Sequence, residues 1–187
     1  MNAPLSQRRF TVDEFQRIGE AGILDVDERV ELLDGQIIQM APIGSRHAAC
    51  VRRLNRLLGA RIPSELVVDV QNPVRMGRDM QLIPDLAVLQ PRGDFYDEGH
   101  PRPGDVLLVI EVADTTMPYD RNLKIPRYGR AGIREAWLVN LPDRCIEVFY
   151  NPSPESGYAE SVRLDEAAAL ESTSITGLSV KVSEILG

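Results

Sequence analysis

The chain has 187 residues and a net charge of −7 at pH 7, with 43% hydrophobic and 26% charged residues. This length fits one domain, and this composition excludes a disordered or fibrous protein. No apolar run approaches the roughly 20 residues that cross a bilayer, so we expect no membrane span. We expect a cytoplasmic protein, because residues 1–9 lack the apolar segment of a secretory signal and two cysteines are too few for a disulfide scaffold.

The charge is unevenly distributed along the chain. Residues 35–64 contain no Asp or Glu, and their basic residues are Arg46, Arg52, Arg53, Arg56 and Arg61. Such a stretch in an acidic protein can contact phosphate groups, or it can be an ordinary solvated helix face. Only two of the 21 basic residues are lysines, Lys124 and Lys181.

The first predicted elements are a short helix, a hairpin and a longer helix. The segment Thr11-Val-Asp-Glu14 is a capping-box pattern, which predicts a helix to about Glu20. Residues 29–40 predict a hairpin around Asp34-Gly35, a dipeptide that favours a type I′ turn. Residues 45–61 carry apolar side chains at three- and four-residue spacing and predict an amphipathic helix.

The middle of the chain is typical of β-strands. Strands are predicted over residues 65–70, 74–76, 83–89 and 106–112. The last strand is apolar except for Glu111, which indicates a central strand covered on both faces. A helix is predicted from Pro118 to Gly132, and Pro126 is expected to bend it.

The remaining elements complete a mixed fold. They are a hairpin of residues 136–140 and 145–150, a strand over residues 158–164 and a short amphipathic segment over residues 182–186. The order of elements predicts a mixed α/β or α+β fold, with a central mixed sheet flanked by helices. We expect one domain over residues 10–187 and a flexible N-terminus over residues 1–9.

Asp85 and Glu111 are the candidate metal ligands. Each carboxylate lies in a strongly apolar segment, which is unfavourable unless a cation meets it or the end of the sheet is exposed. Two acidic groups on neighbouring strands repel each other, and a bound divalent cation removes that cost. Oxygen ligands without nearby His or Cys favour Mg²⁺ or Mn²⁺ over Zn²⁺.

Lys124 follows Glu111 by 13 residues, which is enough chain for a strand, a turn and the start of a helix to fold back. The ammonium could then lie near the carboxylates, where it would stabilise charge on a phosphate or help to deprotonate water. The alternative is a surface ion pair with Asp120 at i, i+4 spacing. Asp120 itself is expected to brace the helix.

Several motifs resemble those of a large bacterial family, the restriction endonucleases of the Uma-two type. Residues 111–137 carry the longest match, EVADTTMPYDRNLKIPRYGRAGIREAW. Residues 31–35 (ELLDG), residues 45–47 (SRH) and Pro84-Asp85 match in the same order. The family belongs to the PD-(D/E)XK nuclease superfamily, so the resemblance implies a restriction-endonuclease-like core of a mixed sheet flanked by helices.

The resemblance also implies site residues. Asp85, Glu111 and Lys124 would be catalytic, and Asp85, Glu111 and the backbone carbonyl of Val112 would hold Mg²⁺ or Mn²⁺. The superfamily usually places its lysine two residues after the second acid, where this chain has Ala113. Relatives of the Uma-two type supply the lysine from the following helix, at the position of Lys124.

Other residues have two interpretations each. His47 would touch phosphate or orient a ligand, or it would pack as an ordinary helix residue. Glu31 would add a carboxylate near the metal, or it would pair with an arginine across the sheet. Tyr128 and Trp137 are expected to pack a helix on the sheet, because aromatic side chains bury large areas. Cys50 is expected to be buried rather than nucleophilic.

The predicted function is metal-dependent hydrolysis of DNA phosphodiester bonds by an endonuclease. The arginines expected to contact DNA phosphates are Arg46, Arg52, Arg53 and Arg56. The alternative is a nuclease fold with a decayed site that binds nucleic acid or another partner, and hydrolysis of another phosphoester is also open. A homodimer is expected, because nucleases that cut duplex DNA often pair.

Overall fold

The computed structural model of the protein describes residues 7–25 and 27–187. Most of the predicted flexible N-terminus, residues 1–6, lies outside this part. The helices are α1 (Val12–Glu20), α2 (Ser45–Arg61), α3 (Met117–Tyr119), α4 (Ile125–Arg130) and α5 (Val182–Leu186). A π-helical turn (Asp120–Lys124) joins α3 to α4, and a 3₁₀ turn (Pro103–Asp105) precedes the longest buried strand. In the described ranges, no helix has both the length and the hydropathy of a membrane span.

The strands form a central sheet, a smaller sheet and a ribbon. They are β1 (Val30–Leu33), β2 (Gln36–Gln39), β3 (Val67–Val70), β4 (Val74–Arg75), β5 (Gln81–Leu82), β6 (Leu86–Leu89), β7 (Val106–Ala113), β8 (Glu135–Asn140), β9 (Cys145–Ser153), β10 (Gly157–Asp165), β11 (Ala169–Glu171) and β12 (Ser179–Lys181). The six-stranded central sheet has the order β10-β9-β8-β7-β6-β3. Strands β2-β1-β5-β4 form the second sheet, and β11 pairs with β12.

The central sheet is mixed, as predicted. Strands β7 and β8 run parallel, whereas the other neighbouring strands are antiparallel. Parallel neighbours require a crossover connection, and here it consists of α3, the π-helical turn and α4. In this crossover α4 packs on β8, β9 and β10, and the side chains of Lys124 and Tyr128 reach Glu111 in β7.

The local sequence signals are confirmed at the predicted positions. The capping box at Thr11 is present, with both of its hydrogen bonds to Glu14. The hairpin turn has positive φ angles at Asp34 (49°) and Gly35 (74°), as a type I′ turn requires. Helix α2 spans the predicted residues 45–61, and α5 spans the predicted residues 182–186.

Two predicted elements are corrected by the structure. The strand predicted over residues 83–89 begins at Leu86, and Ile83-Pro84-Asp85 is an irregular segment between β5 and β6. Pro84 has no N–H for a ladder, and the chain passes from one sheet to the other at this point. As a result, Asp85 lies at the end of β6 rather than within it. Strands β5, β11 and β12, which the periodicity missed, are only two or three residues long.

The helix predicted over residues 118–132 is interrupted. Pro126 has no N–H and would clash with the carbonyl four residues before it in a regular α-helix. The chain instead widens into the π-helical turn, in which the N–H of Ile125 bonds to the carbonyl of Asp120. The bend expected at Pro126 is therefore a wide turn just before it, and this turn includes Lys124.

Alternation along β7 places its side chains on two different faces. Leu108, Ile110 and Val112 belong to the hydrophobic core beneath α2 and α5. Val109 and Ala113 belong to the core on the opposite face, beneath α4 and the second sheet. Since side chains of a strand alternate, Glu111 shares this second face and points toward the crossover.

A close backbone approach fixes α4 against the sheet. A Cβ atom on Gly129 would lie 2.0 Å from the carbonyl oxygen of Gly157 in β10. No side chain fits there, so glycine permits the contact. The position of α4 determines where the neighbouring side chains of Lys124 and Tyr128 reach.

Candidate active site

Lys124 is buried at the centre of an ionic cluster. Its Nζ lies 2.7 Å from Oε1 of Glu111 and 3.7 Å from Oε2 of Glu31. It also donates a hydrogen bond of 2.9 Å to the carbonyl oxygen of Ile83. With 2% of its surface exposed, Lys124 is not the surface partner of Asp120 that its i, i+4 spacing allowed.

Three separate segments of the chain hold the side chain of Asp85. Its Oδ2 accepts hydrogen bonds of 2.9 Å from Nε2 of His47 in α2 and from the backbone N–H of Val112 in β7. Its Oδ1 accepts one of 3.1 Å from the side-chain amide of Gln71, just after β3. Burial raises the pKa of Asp85, but the hydrogen bond from His47 and the charge of Lys124 outweigh it, so the net shift is downward.

Glu111 accepts hydrogen bonds from two residues of the crossover. Besides the contact with Lys124, its Oε1 accepts a hydrogen bond of 2.6 Å from the hydroxyl of Tyr128. Tyr128 packs in the core, as predicted, and is fully buried. Its bond to Glu111 was not predicted, although Tyr128 follows Lys124 by four residues, the spacing of neighbours on one helix face.

Glu31 reaches the cluster from the second sheet. Its Oε2 accepts a hydrogen bond of 3.1 Å from the N–H of Ile83. Its Oε1 accepts one from the hydroxyl of Tyr119. Its cationic neighbour is Lys124, so the structure favours the interpretation of Glu31 as a carboxylate of the site over an ion pair with arginine.

The cluster has more acids than bases. Burial raises the pKa of Glu111 well above its usual range, and the nearby Asp120 and Asp85 add to the rise while Lys124 opposes it. Burial lowers the pKa of Lys124, but Glu111, Glu31 and Asp120 together shift it above its usual value. The two upward shifts have different main causes, which are burial for Glu111 and the neighbouring carboxylates for Lys124.

The cluster forms the floor of a pocket of about 300 Å³. The ionisable groups that line it from the floor are Glu31, Asp85, Glu111, Asp120 and Lys124. The loop after β2 and the loop after β7 form its sides, and His47 lines it from the first turn of α2. The structure therefore brings Asp85, Glu111, Val112, Lys124, Glu31 and His47 together in one pocket.

Unused acceptor atoms remain beside the two candidate metal ligands. Both hydrogen-bonded contacts of Glu111 use Oε1, and no described residue donates to Oε2. The N–H and C=O of one strand residue point to the same side, so the carbonyl of Val112 faces the Asp85 side of β7. Nδ1 of His47 is buried and has no partner in the described residues. The oxygen atoms, Oε2 of Glu111 and the carbonyl of Val112, fit a hard cation such as Mg²⁺ or Mn²⁺. His47 lies beside Asp85, so the expectation of a site without a nearby His is wrong.

The side chains alone do not complete a coordination shell. The described residues contain no group of three or more His, Cys, Asp or Glu side chains arranged to hold a metal ion. Mg²⁺ is commonly held by one or two carboxylates and retains several waters, so such a group is not required. Asp85, Glu111 and the carbonyl of Val112 match that smaller ligand set.

The four arginines of α2 have different surroundings. Arg46, at the pocket end, is exposed and pairs with Asp114 at 3.3 Å. Arg52 and Arg56 are exposed, one helical turn apart on the solvent side. Arg53 donates hydrogen bonds of 2.9 and 2.5 Å to the carbonyls of Ile185 and Leu186, so its guanidinium holds α5 rather than facing the pocket.

Further residues of the site escaped prediction because they approach it from distant segments. They are Gln71, Ile83, Tyr119 and Tyr128.

The interpretations of Trp137 and Cys50 as buried residues are confirmed. Burial raises the pKa of the Cys50 thiol to about 11, which leaves it protonated and unreactive at neutral pH.

The fold and the sequence both match known proteins. A crystal structure described as a "putative nuclease belonging to DUF820" from Anabaena variabilis ATCC 29413 superposes with a TM-score of 0.72. It is 18% identical in sequence, and the match covers 95% of this chain and 97% of that chain. At this identity the likeness shows a shared fold. No curated protein matches the chain.

The family model described as "Uma2: Putative restriction endonuclease" matches residues 12–183. The match spans nearly all of the chain, including both sheets and the pocket with Asp85, Glu111 and Lys124. The resemblance inferred from the motifs is thereby confirmed. The chain belongs to the Uma2 family of restriction-endonuclease-like proteins.

Proposed function

We propose that the protein is a metal-dependent endonuclease that hydrolyses DNA phosphodiester bonds. The main support is the convergence of Asp85, Glu111 and Lys124 at the floor of one pocket, with more carboxylates than cations. An acidic cluster of this kind repels a phosphate unless a divalent cation neutralises it. Membership of a restriction endonuclease family supports DNA as the substrate.

Asp85, Glu111 and the carbonyl of Val112 would hold Mg²⁺ or Mn²⁺. A cation bound there supplies polarisation of the scissile phosphate and a lowered pKa for a bound water. The residues around these ligands fix their orientation. His47, Gln71 and the N–H of Val112 orient Asp85, and Tyr128 orients Glu111.

Lys124 acts as a fixed positive charge in this proposal. Glu111, Glu31 and Asp120 shift its pKa above the usual value, which favours the protonated amine over the free base. An ammonium beside the phosphate stabilises the negative charge that develops in the transition state. Of the two roles considered for Lys124, stabilisation of charge is therefore the one supported.

Arginines of α2 would bind the flanking DNA backbone. Arg46 lies near the pocket, and Arg52 and Arg56 are exposed farther along the helix. Because such contacts release counterions, binding should weaken as salt is added. Arg53 is engaged with α5 and contributes less directly.

Cleavage of supercoiled plasmid DNA in Mg²⁺ or Mn²⁺ tests the proposal. The wild-type protein should convert the plasmid to nicked or linear forms, and Asp85→Asn and Glu111→Gln should reduce the rate by at least about a hundredfold. Asp143→Asn is the matched control, because Asp143 is half exposed in the turn after β8 and does not line the pocket. Equal cleavage by all four proteins would place the reaction elsewhere.

Metal binding can be measured without cleavage. Mg²⁺ or Mn²⁺ should raise the melting temperature of the wild-type protein and not that of Asp85→Asn. If the protein binds DNA and metal but cuts no DNA, the alternative of a binding module with a decayed site is favoured. Cleavage of small phosphodiesters without cleavage of DNA would indicate another phosphoester as substrate.

We also propose that two copies act together on duplex DNA. Paired active sites cut both strands in one encounter, whereas a monomer produces nicks first. Light scattering of the protein with and without duplex DNA measures the assembly. A monomer in both conditions, combined with nicked products only, would contradict the homodimer.

A further inference from the structure

The pocket has an apolar side as well as an ionic floor. Most of its apolar lining residues come from one short segment that includes the loop after β2, and they are Ile38, Met40, Ala41, Pro42 and Ile43. Val112 in β7 also lines the pocket. Ile43 is 42% exposed, although most large aliphatic side chains of this protein are buried. A phosphate bound through a metal at the acidic floor, as proposed above, makes no use of an apolar wall beside it.

The reactive groups lie deep within the pocket. The side chain of Glu111 is 3% exposed, that of Lys124 is 2% exposed and that of Asp85 is 12% exposed. A phosphate therefore reaches them only if the backbone that carries it enters the pocket. The volume of about 300 Å³ is at the small end of the range for small-molecule sites.

We infer that the DNA strand enters this pocket unpaired, with one phosphate at the floor and the attached sugar and base against the apolar wall of residues 38–43. This inference rests on the proposed nuclease function and names the form of the substrate. A single-stranded segment satisfies it, including one opened within a longer duplex, whereas a short, fully paired duplex does not.

The chemistry of the two halves of the pocket supports an unpaired strand. In an intact duplex the base faces are stacked inside, so a protein meets phosphates, sugars and base edges but no base face. In an unpaired strand each nucleotide exposes an apolar base face next to its phosphate, and single-strand-binding proteins use apolar and aromatic surfaces for those faces. The flexible backbone of a single strand can also follow a narrow opening.

Binding of labelled oligodeoxynucleotides in the presence of Ca²⁺ tests the inference. A fluorescein-labelled single strand and a blunt duplex of the same sequence are compared by anisotropy, with the whole protein. The single strand should bind about tenfold more tightly, and Ile43→Ser should weaken its binding about five- to tenfold while leaving duplex binding unchanged. Ile23→Ser is the matched control, because Ile23 is 72% exposed and does not line the pocket.

Two results would overturn the inference. One is equal or weaker binding of the single strand, including no measurable binding of either DNA. The other is an equal effect of Ile43→Ser and Ile23→Ser on single-strand binding. Melting temperatures confirm that each variant folds, and Ile43→Ala serves as a milder second variant.

The outcome is separate from that of the proposed function. If a single strand is preferred and Ile43 matters, but neither DNA is cut in Mg²⁺ or Mn²⁺, the pocket binds an unpaired strand and the proposed catalysis is wrong. If cleavage of the duplex depends on Asp85 and Glu111, but the duplex binds as tightly as the single strand, the nuclease proposal stands and this inference fails.

Discussion

The hydroxyl of Tyr128 and the ammonium of Lys124 approach the same oxygen of Glu111, at 2.6 and 2.7 Å. Both donors come from the crossover over β7, four residues apart and on either side of Pro126. Together they fix one carboxylate oxygen and leave the other without a donor in the described residues. The crossover thus determines the orientation of a carboxylate that the central strand supplies.

Replacement of Tyr128 by phenylalanine should separate packing from hydrogen bonding. Tyr128→Phe keeps the ring in the core but removes the donor to Glu111. We expect a loss of about 1–2 kcal/mol in the free energy of unfolding, measured with urea. In the proposed DNA cleavage reaction, kcat should fall by a larger factor than KM rises, because the substitution changes the orientation of Glu111 and leaves the contacts with DNA intact.

Tyr158→Phe is the control for that substitution. The hydroxyl of Tyr158 is buried, with no hydrogen-bond partner in the described residues, and the ring packs on Phe149. Removal of this hydroxyl should leave the free energy of unfolding unchanged or slightly increased, and it should not change kcat. Equal losses in Tyr128→Phe and Tyr158→Phe would contradict a role for the Tyr128 hydroxyl.

The two lysines should differ sharply in their effect on stability. Lys124→Met leaves Glu111 and Glu31 without their cation, and breaking a buried ion pair from one side costs about 3–5 kcal/mol. Lys181→Met, on the exposed last residue of β12, should change the free energy of unfolding by less than about 0.5 kcal/mol. Chemical denaturation of the metal-free proteins makes the comparison, and similar values would mean that Lys124 is not an essential counter-charge.

A pair of glycine substitutions tests how closely α4 packs against the central sheet. Gly129→Ala places a Cβ 2.0 Å from the carbonyl oxygen of Gly157, which is backbone and cannot rotate away. We expect a destabilisation of about 1–3 kcal/mol or more and reduced activity, because α4 carries Tyr128 and follows Lys124.

Gly59→Ala provides the matching substitution in an open helical position. Apart from its chain neighbours and the backbone of its own helix, no atom lies within 4 Å of the Cβ added at Gly59, near the end of α2. Alanine is preferred over glycine in a helix, so stability should rise by about 0.5–1 kcal/mol. A stable Gly129→Ala protein would show that α4 can shift without cost.

The ion pair that joins α2 to α5 should make stability depend on pH in the acid range. Hydrogen bonds from Arg61, and from the backbone N–H of Lys181, lower the pKa of Glu184 to about 2 from 4.5. A carboxyl whose pKa is lower in the folded state stabilises the fold above the unfolded value, and this contribution is lost as the pH falls toward the folded value. The melting temperature of Glu184→Gln should therefore lie below that of the wild type at pH 5–7, and the difference should shrink below pH 4.5.

Salt provides an independent check on the same pair. Arg61 and Glu184 are each about one-third exposed, so added ions screen their attraction. The difference in melting temperature between wild type and Glu184→Gln should shrink in about 1 M NaCl, where the screening length is near 3 Å. A difference that persists in high salt and at pH 3 would indicate a packing effect instead.

Elements with strong local signals could be predicted with their boundaries. The capping box at Thr11, the Asp34-Gly35 turn and the apolar spacing of α2 depend on residues that are close in sequence. The π-helical turn was not predictable in detail, although Pro126 indicated a bend. Whether a chain relieves a proline by a kink, a break or a wider turn depends on what it packs against.

The candidate site was predictable in part. Buried acids in apolar segments and a rare lysine indicated Asp85, Glu111 and Lys124, and the family resemblance connected them. Their partners Gln71, Tyr119 and Tyr128 carry no such signal, because polar and aromatic residues at those positions also suit ordinary turns and cores.

The sequence by itself determined the periodicities, the turns and the uneven charge, because these follow from backbone preferences and from side chains a few residues apart. Only the tertiary structure decided that Lys124 is buried between Glu31 and Glu111, which lie on different sheets. It also decided that the acid-free residues 38–43 form the apolar wall of an acidic pocket. Both arrangements depend on how the two sheets and the crossover meet, and contacts between distant segments are set by packing of the whole chain.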